Sequence, residues 1–167
     1  MRFCGTNIKQ FRHSICYLAL ACSSLSEDEE SITANEDTSA PIVTAVSPID
    51  GNADVSVKSK ISITFSKSIE PANVTVSTTE YSSGSMQLFI DDFYTCFPAV
   101  SSYDSSRKIY TMTPGSSTAV QELDSLLKHK VKVTTSVKDY FSIAHASDYS
   151  SAGFASASVC SSTCFWN

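Results

Sequence analysis

The chain is constrained most by residues 40–65, where a proline-bounded extended entry leads through a turn-rich loop into an alternating strand. The entry is expected to be extended because a residue that precedes proline is driven away from helical backbone. The loop is rich in Asp, Gly and Asn, which favour tight turns. In the last part Ile61, Ile63 and Phe65 alternate with Ser and Thr, which places the apolar side chains on one strand face. This stretch predicts a β-domain that opens near residue 40.

The same alternation recurs further along the chain. Apolar residues at every second position are separated by clusters of Ser, Asp, Gly, Asn and Pro, a pattern typical of a two-sheet antiparallel sandwich or a small barrel. No amphipathic stretch of helix length separates the strands, which disfavours a parallel α/β fold. The predicted inward residues are Val74 and Val76, Met86, Leu88 and Ile90, Tyr110 and Met112, and Val131 and Val133.

One segment, residues 119–127, is compatible with a short helix. Val120, Leu123 and Leu127 lie at helical spacing, so we expect a turn or two of helix that caps one end of the sandwich. The chain as a whole has 167 residues, of which 42% are hydrophobic and 17% are charged. This composition indicates one globular core rather than a charge-rich disordered chain or a membrane bundle.

Residues 1–21 have the pattern of a signal peptide, because a basic, acid-free start is followed by a short apolar run. The sequence Ala19-Leu20-Ala21-Cys22 resembles a bacterial lipobox, in which the cysteine is acylated and becomes the new N-terminus. It departs from that pattern at Ala19, where Leu is usual. Ala19 and Ala21 also fit the small-residue rule of ordinary secretory cleavage. The prediction is lipid attachment at Cys22, with plain secretion and an uncleaved N-terminus as the alternatives.

Residues 22–39 are rich in Ser, Glu, Asp and Thr and predict a flexible tether, because so few apolar residues cannot offset the entropy of ordering. The whole chain carries a formal charge of −5. Every Asp and Glu follows Cys22, whereas Arg2, Lys9 and Arg12 precede it, so cleavage would make the protein more acidic. This charge argues against a nucleic-acid partner. A membrane contact is expected through the lipid alone.

Several segments of the sequence occur in the same order, and at the same spacing, as the motifs of one known family. They are Pro41 to Pro48, Asp50-Gly51, Ile61 to Ser66, Tyr110 to Pro114, Val131 to Asp139 and Asp148-Tyr149. Together they resemble the bacterial Ig-like domain first described in surface-layer proteins, over residues 40–158, with residues 159–167 as a C-terminal tail. The resemblance implies an all-β, immunoglobulin-like two-sheet antiparallel β-sandwich of about seven strands. It also implies a secreted or cell-surface spacer or adhesion-type module without catalysis.

The chain departs from that family at three places. Similar members carry a cysteine where this chain has Ser83, paired with the cysteine at the position of Cys96, so the resemblance implies that Cys96 lacks its partner. Tyr140 and Phe141 occupy a tight turn where small residues are common, and we expect this bulky pair to expose aromatic surface. His129 stands on the inward face where an aromatic residue such as Tyr is usual.

Three cysteines remain after the leader and the candidate lipid site, namely Cys96, Cys160 and Cys164. Export implies an oxidising compartment, in which three cysteines cannot all pair within one chain. A disulfide between Cys160 and Cys164, a link from one of them to Cys96, and an intermolecular bridge all remain open. So does the alternative of thiols with no assigned task.

No catalytic residue, metal site or cofactor is predicted, and the chain is not expected to be an enzyme. The two C-terminal cysteines with a histidine are a conceivable zinc set, but no paired Cys/His motif exists. The Asp50/Asp54 loop and the Asp91-Asp92 pair follow no calcium-loop pattern. Serines are abundant, yet no Gly-x-Ser-x-Gly elbow is present. His145 is expected to be solvated in a loop.

Two aromatic loops are the candidate binding surface, with Phe93 and Tyr94 in one and Tyr140 and Phe141 in the other. Aromatic rings at the ends of a sandwich bind sugars or proteins by stacking and apolar contact, unless they merely cover the core. The predicted function is an exported structural or interaction module, an outer-membrane or cell-surface lipoprotein of the bacterial envelope. The alternative is a secreted adhesin that binds a protein or glycan partner through these loops.

Overall fold

The computed structural model describes residues 37–81, 84–90 and 92–158. The predicted leader, Cys22, Ser83 and the tail with Cys160 and Cys164 lie outside the described residues. Within these ranges no helix is long and apolar enough to span a bilayer. The strands are β1 (Val43–Ser47), β2 (Ile61–Phe65), β3 (Met86–Ile90), β4 (Thr95–Phe97), β5 (Ala99–Tyr103), β6 (Ile109–Pro114), β7 (Lys128–Val133), β8 (Tyr149–Ser150) and β9 (Phe154–Ala155), and a 3-10 turn spans Pro71–Asn73.

The strands form two antiparallel sheets, which confirms the predicted all-β sandwich. The first sheet has the order β1-β2-β6-β5 and the second has the order β4-β3-β7-β8, with β9 paired to the other end of β7. The chain passes from the second sheet to the first at Pro98, the single residue between β4 and β5. The described residues form nine strands where about seven were predicted, partly because β8 and β9 are two-residue strands that both pair with β7.

The core is built from the alternating residues that the sequence indicates. On β2 and β6, Ile61 lies opposite Met112 and Ile63 lies opposite Tyr110, and all four side chains are buried. Strand β7 repeats the pattern, with two buried valines that alternate with its lysines. Apolar residues on the facing sides of the two sheets therefore exclude water from one continuous core.

Strand β3 departs from this pattern because it is buried on both faces. Gln87 and Phe89, which alternate with its core residues, are also buried. On this second face Phe93 packs against Phe89, and the Gln87 amide donates to the Gly84 carbonyl at 3.0 Å. Val74 and Val76, in the segment before β3, pack against the core but do not belong to a regular strand. The prediction of a strand there was wrong, because Val76 forms only an isolated bridge with Met86.

The helical turn predicted for residues 119–127 is absent, and the segment is an irregular connection. Its backbone bonds to other parts of the chain instead of to itself, since Leu123 donates to the Val57 carbonyl at 2.7 Å and Gln121 donates to the Pro114 carbonyl at 3.0 Å. Leu123 is buried but Val120 is exposed, so the apolar spacing did not mark one face of a helix.

The described domain has its first and last residues at opposite ends of the sandwich. The Ile42 carbonyl accepts from Ser66 N, directly after β2 ends. At the other end Ala157 N donates to the Val55 carbonyl at 2.7 Å, in the loop that leads into β2. The chain therefore enters beside the end of β2 and leaves beside its start.

Candidate functional site at the Asp139 turn

The turn after β7 is organised by a buried carboxylate. Asp139 is 3% exposed, and its Oδ1 atom accepts hydrogen bonds from Phe141 N and Ile143 N, both at 2.9 Å. Ser142 adopts the left-handed backbone that closes the turn. These bonds direct the two aromatic side chains outward, so that Tyr140 is 42% exposed and Phe141 is 65% exposed. The aromatic surface expected at this turn is present.

Lys67 connects the turn to the entry of the domain. Its Nζ atom lies 3.6 Å from Asp139 Oδ2 and 3.2 Å from Asp37 Oδ2. The same ammonium donates to the carbonyls of Asp37, at 2.7 Å, and of Ser39. Hydrogen bonds from Ser39, followed by the Lys67 interaction, hold the pKa of the Asp37 carboxyl below its ordinary value. Asp37 and Ser39 thus make folded contacts, although both lie inside the segment predicted as tether.

These groups surround a cleft of about 330 Å³. One rim is aromatic, and Arg107 lies over the Tyr140 ring with its guanidinium carbon 5.0 Å from the ring centroid. Arg107 also hydrogen-bonds to the Tyr140 hydroxyl, which holds that ring in place. An exposed phenyl ring beside hydrogen-bonding groups suits stacking against a sugar or a peptide. The cleft is lined by Asp37, Ser66, Lys67, Ser68, Lys108, Asp139, Tyr140 and Phe141.

The other predicted aromatic pair lies at the opposite end of the sandwich. Phe93 and Tyr94 form the turn between β3 and β4, next to Ile90, which pairs with His129 at the start of β7. The Asp139 turn instead follows the end of β7. Phe93 packs against Phe89 at a centroid distance of 5.2 Å, whereas Tyr94 is 91% exposed. The four aromatic residues therefore cannot form one site.

His129 and Asp139, the two residues that an acid–base role would need, lie at opposite ends of β7 and not side by side. His129 is buried at the start of the strand, with its ring 5.5 Å from Phe154 and 6.2 Å from Phe97, and Nε2 lies 3.1 Å from the Asp124 carbonyl. Asp139 lies beyond the other end. His129 takes the place of a core aromatic ring and forms no dyad with Asp139.

His145 is buried, so its predicted exposure to solvent was wrong. Its Nε2 atom accepts a hydrogen bond from Val43 N at 3.2 Å, and Nδ1 donates to the Ser147 carbonyl. A neutral imidazole with the proton on Nδ1 satisfies both bonds. Sequence reasoning missed this role, as it missed that of Lys67, because the partners are distant in the chain and no local pattern marks them.

Cys96 is a buried free thiol, and burial raises its pKa. The raised pKa disfavours the reactive thiolate, so Cys96 has the environment of a small core residue. The pairing alternatives that involve Cys160 and Cys164 remain predictions.

The carboxylates of Asp50 and Asp92, in the acidic loops, form hydrogen bonds and an ion pair with other parts of the domain. Both Asp50 carboxylate oxygens accept backbone hydrogen bonds, from Ala152 N at 2.9 Å and from Gly153 N at 2.8 Å. Asp92 pairs with Lys130. Over the part of the chain with a described structure, no group of three or more His, Cys, Asp or Glu side chains is placed to hold a metal ion.

The sequence matches the family described as bacterial Ig-like domain over residues 37–155. The chain belongs to this family. The predicted resemblance is thereby confirmed, and the sandwich described above is the fold of this Ig-like domain. Among curated proteins, no sequence matches the chain significantly.

Solved structures similar to this Ig-like domain include surface-layer proteins. The crystal structure of the S-layer protein rSbsC(31-844) superposes with a TM-score of 0.47 at 13% identity, over 71% of this chain and 14% of that one. The surface layer protein SbsC, domains 1-6, gives 0.46 at 13% identity, over 70% of this chain and 14% of that one. The N-terminal part of SbsC gives the same score and identity, with 24% of that chain covered. The chain spans a small fraction of each of these proteins.

Proposed function

We propose that this Ig-like domain is a non-catalytic module of the bacterial cell envelope, exported and attached to a membrane by lipid at Cys22, with a structural or interaction role. The observation that carries the proposal is the placement of the domain's entry and exit at opposite ends of the sandwich. A module with this arrangement adds its own length to a chain, as a spacer must.

The contacts at the entry support the same role. A tether attached to a membrane would pull on residues 37–42, and these residues are bound at several points. Lys67 binds the carbonyls of Asp37 and Ser39, and the Pro41 carbonyl accepts from Ala146 N at 3.2 Å. Force on the entry would thus be shared between β2 and the loop after β7, and would not simply peel β1 from the sheet.

Lipid attachment is tested by the intact mass of the mature protein from a bacterial membrane fraction. We expect a chain that begins at Cys22 and carries a diacylglyceryl-sized increment, because acylation accompanies cleavage at a lipobox. The Cys22→Ala variant is expected to lose the increment and the membrane association. An unmodified wild-type chain in the medium would refute the anchor.

The second candidate function is a secreted adhesin that binds a glycan or protein, and the cleft beside Phe141 is the observation that favours it. We expect Tyr140→Ala/Phe141→Ala to abolish saturable binding to immobilised envelope or host glycans, because the stacking surface is removed. Tyr94→Ala is the matched control, since it removes an exposed ring at the opposite end. Binding that survives in the double variant, or an absence of saturable binding in the wild type, would eliminate the adhesin.

A further inference from the structure

The edge strands of the two sheets are protected unequally, and we propose that the unprotected strand, β5, pairs with β5 of a second copy of this chain. An exposed strand edge carries unpaired N–H and C=O groups and is a ready template for another strand. This inference goes beyond the proposed function and does not depend on the lipid anchor.

The outer edge of β1 is covered. Val43 N donates to the His145 imidazole at 3.2 Å, and the Pro41 carbonyl just before the strand accepts from Ala146 N. A change of register between Val43 and Ala45 also bends the strand. Another strand cannot be added here without displacing the loop after β7.

The edges of the second sheet are covered as well. Strand β4 has three residues, and its Cys96 N donates outward to the Glu80 carbonyl at 3.3 Å. At the other edge Ala155 of β9 donates to the Asn52 carbonyl at 2.7 Å and accepts from Val55 N at 3.1 Å. Strand β8 presents an edge of only two residues to another strand.

Strand β5 is open beyond Ala99, whose outward N–H donates to the Ser77 carbonyl at 2.9 Å, as the phase of the hydrogen bonds between β5 and β6 shows. Asp104 N donates to the Ile109 carbonyl at 3.1 Å, and Gly115 N donates to the Pro98 carbonyl at 2.8 Å. Residues 98 and 104 therefore face β6, and in an antiparallel ladder the even-numbered residues between them do the same. The N–H and C=O groups of Ser101 and Tyr103 point away from the sheet.

Nothing in residues 37–81, 84–90 and 92–158 hydrogen-bonds to these outer groups. Residues 101–103 are exposed, with Tyr103 at 52%. The strand also lacks the features that protect natural edges, since it contains no charge, no proline and no bulge. It combines an accessible backbone with neutral side chains.

A second copy of the chain fits this edge because the pattern is self-complementary. An antiparallel pair with its two-fold axis at Ser102 places Ser101 opposite Tyr103 of the other copy, and both residues point their backbone groups outward. Each such pair exchanges both hydrogen bonds. Asp104 would lie opposite Val100 of the other copy, so no like charges meet along the strand. The four-stranded sheet of one copy and that of the other copy would then form one continuous sheet.

The proposal is tested by sedimentation equilibrium of the full chain from micromolar to millimolar concentration, under reducing conditions that exclude disulfide-linked dimers. We expect a reversible monomer–dimer equilibrium. Ser101→Pro removes an outward N–H that β6 does not use, so it should weaken dimerisation at least about tenfold while leaving the fold intact. Ser101→Ala keeps the N–H and should dimerise as the wild type does.

A charge swap tests the register. Ser102→Lys and Ser102→Glu each place like charges opposite one another across the two-fold axis and should be monomeric, whereas an equimolar mixture should form a heterodimer. A wild-type chain that stays monomeric, or a dimer that survives Ser101→Pro, would overturn the proposal. Single-charge variants that dimerise as strongly as the wild type would overturn the register at Ser102.

Discussion

Tyr110 illustrates what a single residue contributes to the core. Its ring is buried and packs edge-on against Phe65 at a centroid distance of 5.9 Å, and its hydroxyl donates to the Ile69 carbonyl at 3.1 Å. Burial raises the pKa of this hydroxyl from 10.0 to about 12. The neutral phenol is thus favoured in the folded state more strongly than in the unfolded state.

We expect the domain to lose stability as the pH rises from about 10 towards 12. In that range the unfolded Tyr110 releases its proton while the folded one retains it, so the free energy of unfolding falls with pH. Tyr110→Phe should reduce this slope and cost about 1 kcal/mol at pH 7 through the lost hydrogen bond. Urea titrations at several pH values measure both effects. An unchanged slope in the variant would contradict this assignment.

At the scale of elements, β7 and β9 approach closely at Gly153. This glycine has φ +95°, and a Cβ atom added to it would lie 2.6 Å from the His129 carbonyl oxygen. A side chain would therefore force β9 away from β7 and disturb the hydrogen bonds that join residues 153–157 to the 51–57 loop. The glycine is required by both backbone conformation and space.

We expect Gly153→Ala to lower the free energy of unfolding by more than about 2 kcal/mol, because left-handed strain and a backbone clash add. Gly51→Ala is the matched control, since Gly51 has φ +81° but an added Cβ would meet nothing within 4 Å. The control should cost about 1 kcal/mol. Urea titration followed by circular dichroism measures both variants, and equal losses would show that the close approach contributes nothing.

At the scale of the whole molecule, Lys67 joins the entry of the domain to the Asp139 turn after β7. The ammonium is partly buried between the carboxylates of Asp37 and Asp139. Removing it would release the entry and would leave the Asp139 carboxylate buried without a counterion, which is costly in a low-dielectric interior.

Lys67→Met is expected to destabilise the domain by about 2 kcal/mol and to accelerate amide exchange at Ile42 and Val43. In an Asp139→Asn background the same change should cost less, because no buried charge remains. A urea titration of the four proteins gives this double-mutant cycle, and hydrogen exchange locates the released segment. Equal costs in both backgrounds would exclude a coupling between Lys67 and Asp139.

The alternating residues of β2, β6 and β7 were predictable from sequence, since a period of two places Ile61, Tyr110 or Val131 on the buried face in any such strand. The turn residues and the family motifs predicted the sandwich. The strand predicted at Val74 and Val76 and the helix predicted at residues 119–127 failed for a different reason. Their backbone groups bond to distant segments, which overrides local spacing.

The amino-acid sequence by itself determined the fold class and the exposed aromatic turn, because both depend on patterns within a few residues. Only the tertiary structure decided which groups meet. It buried His145 against β1, placed Lys67 between Asp37 and Asp139, and separated Phe93 from Phe141. It also left β5 as the open edge. These outcomes depend on contacts between residues far apart in the chain, which a local pattern does not encode.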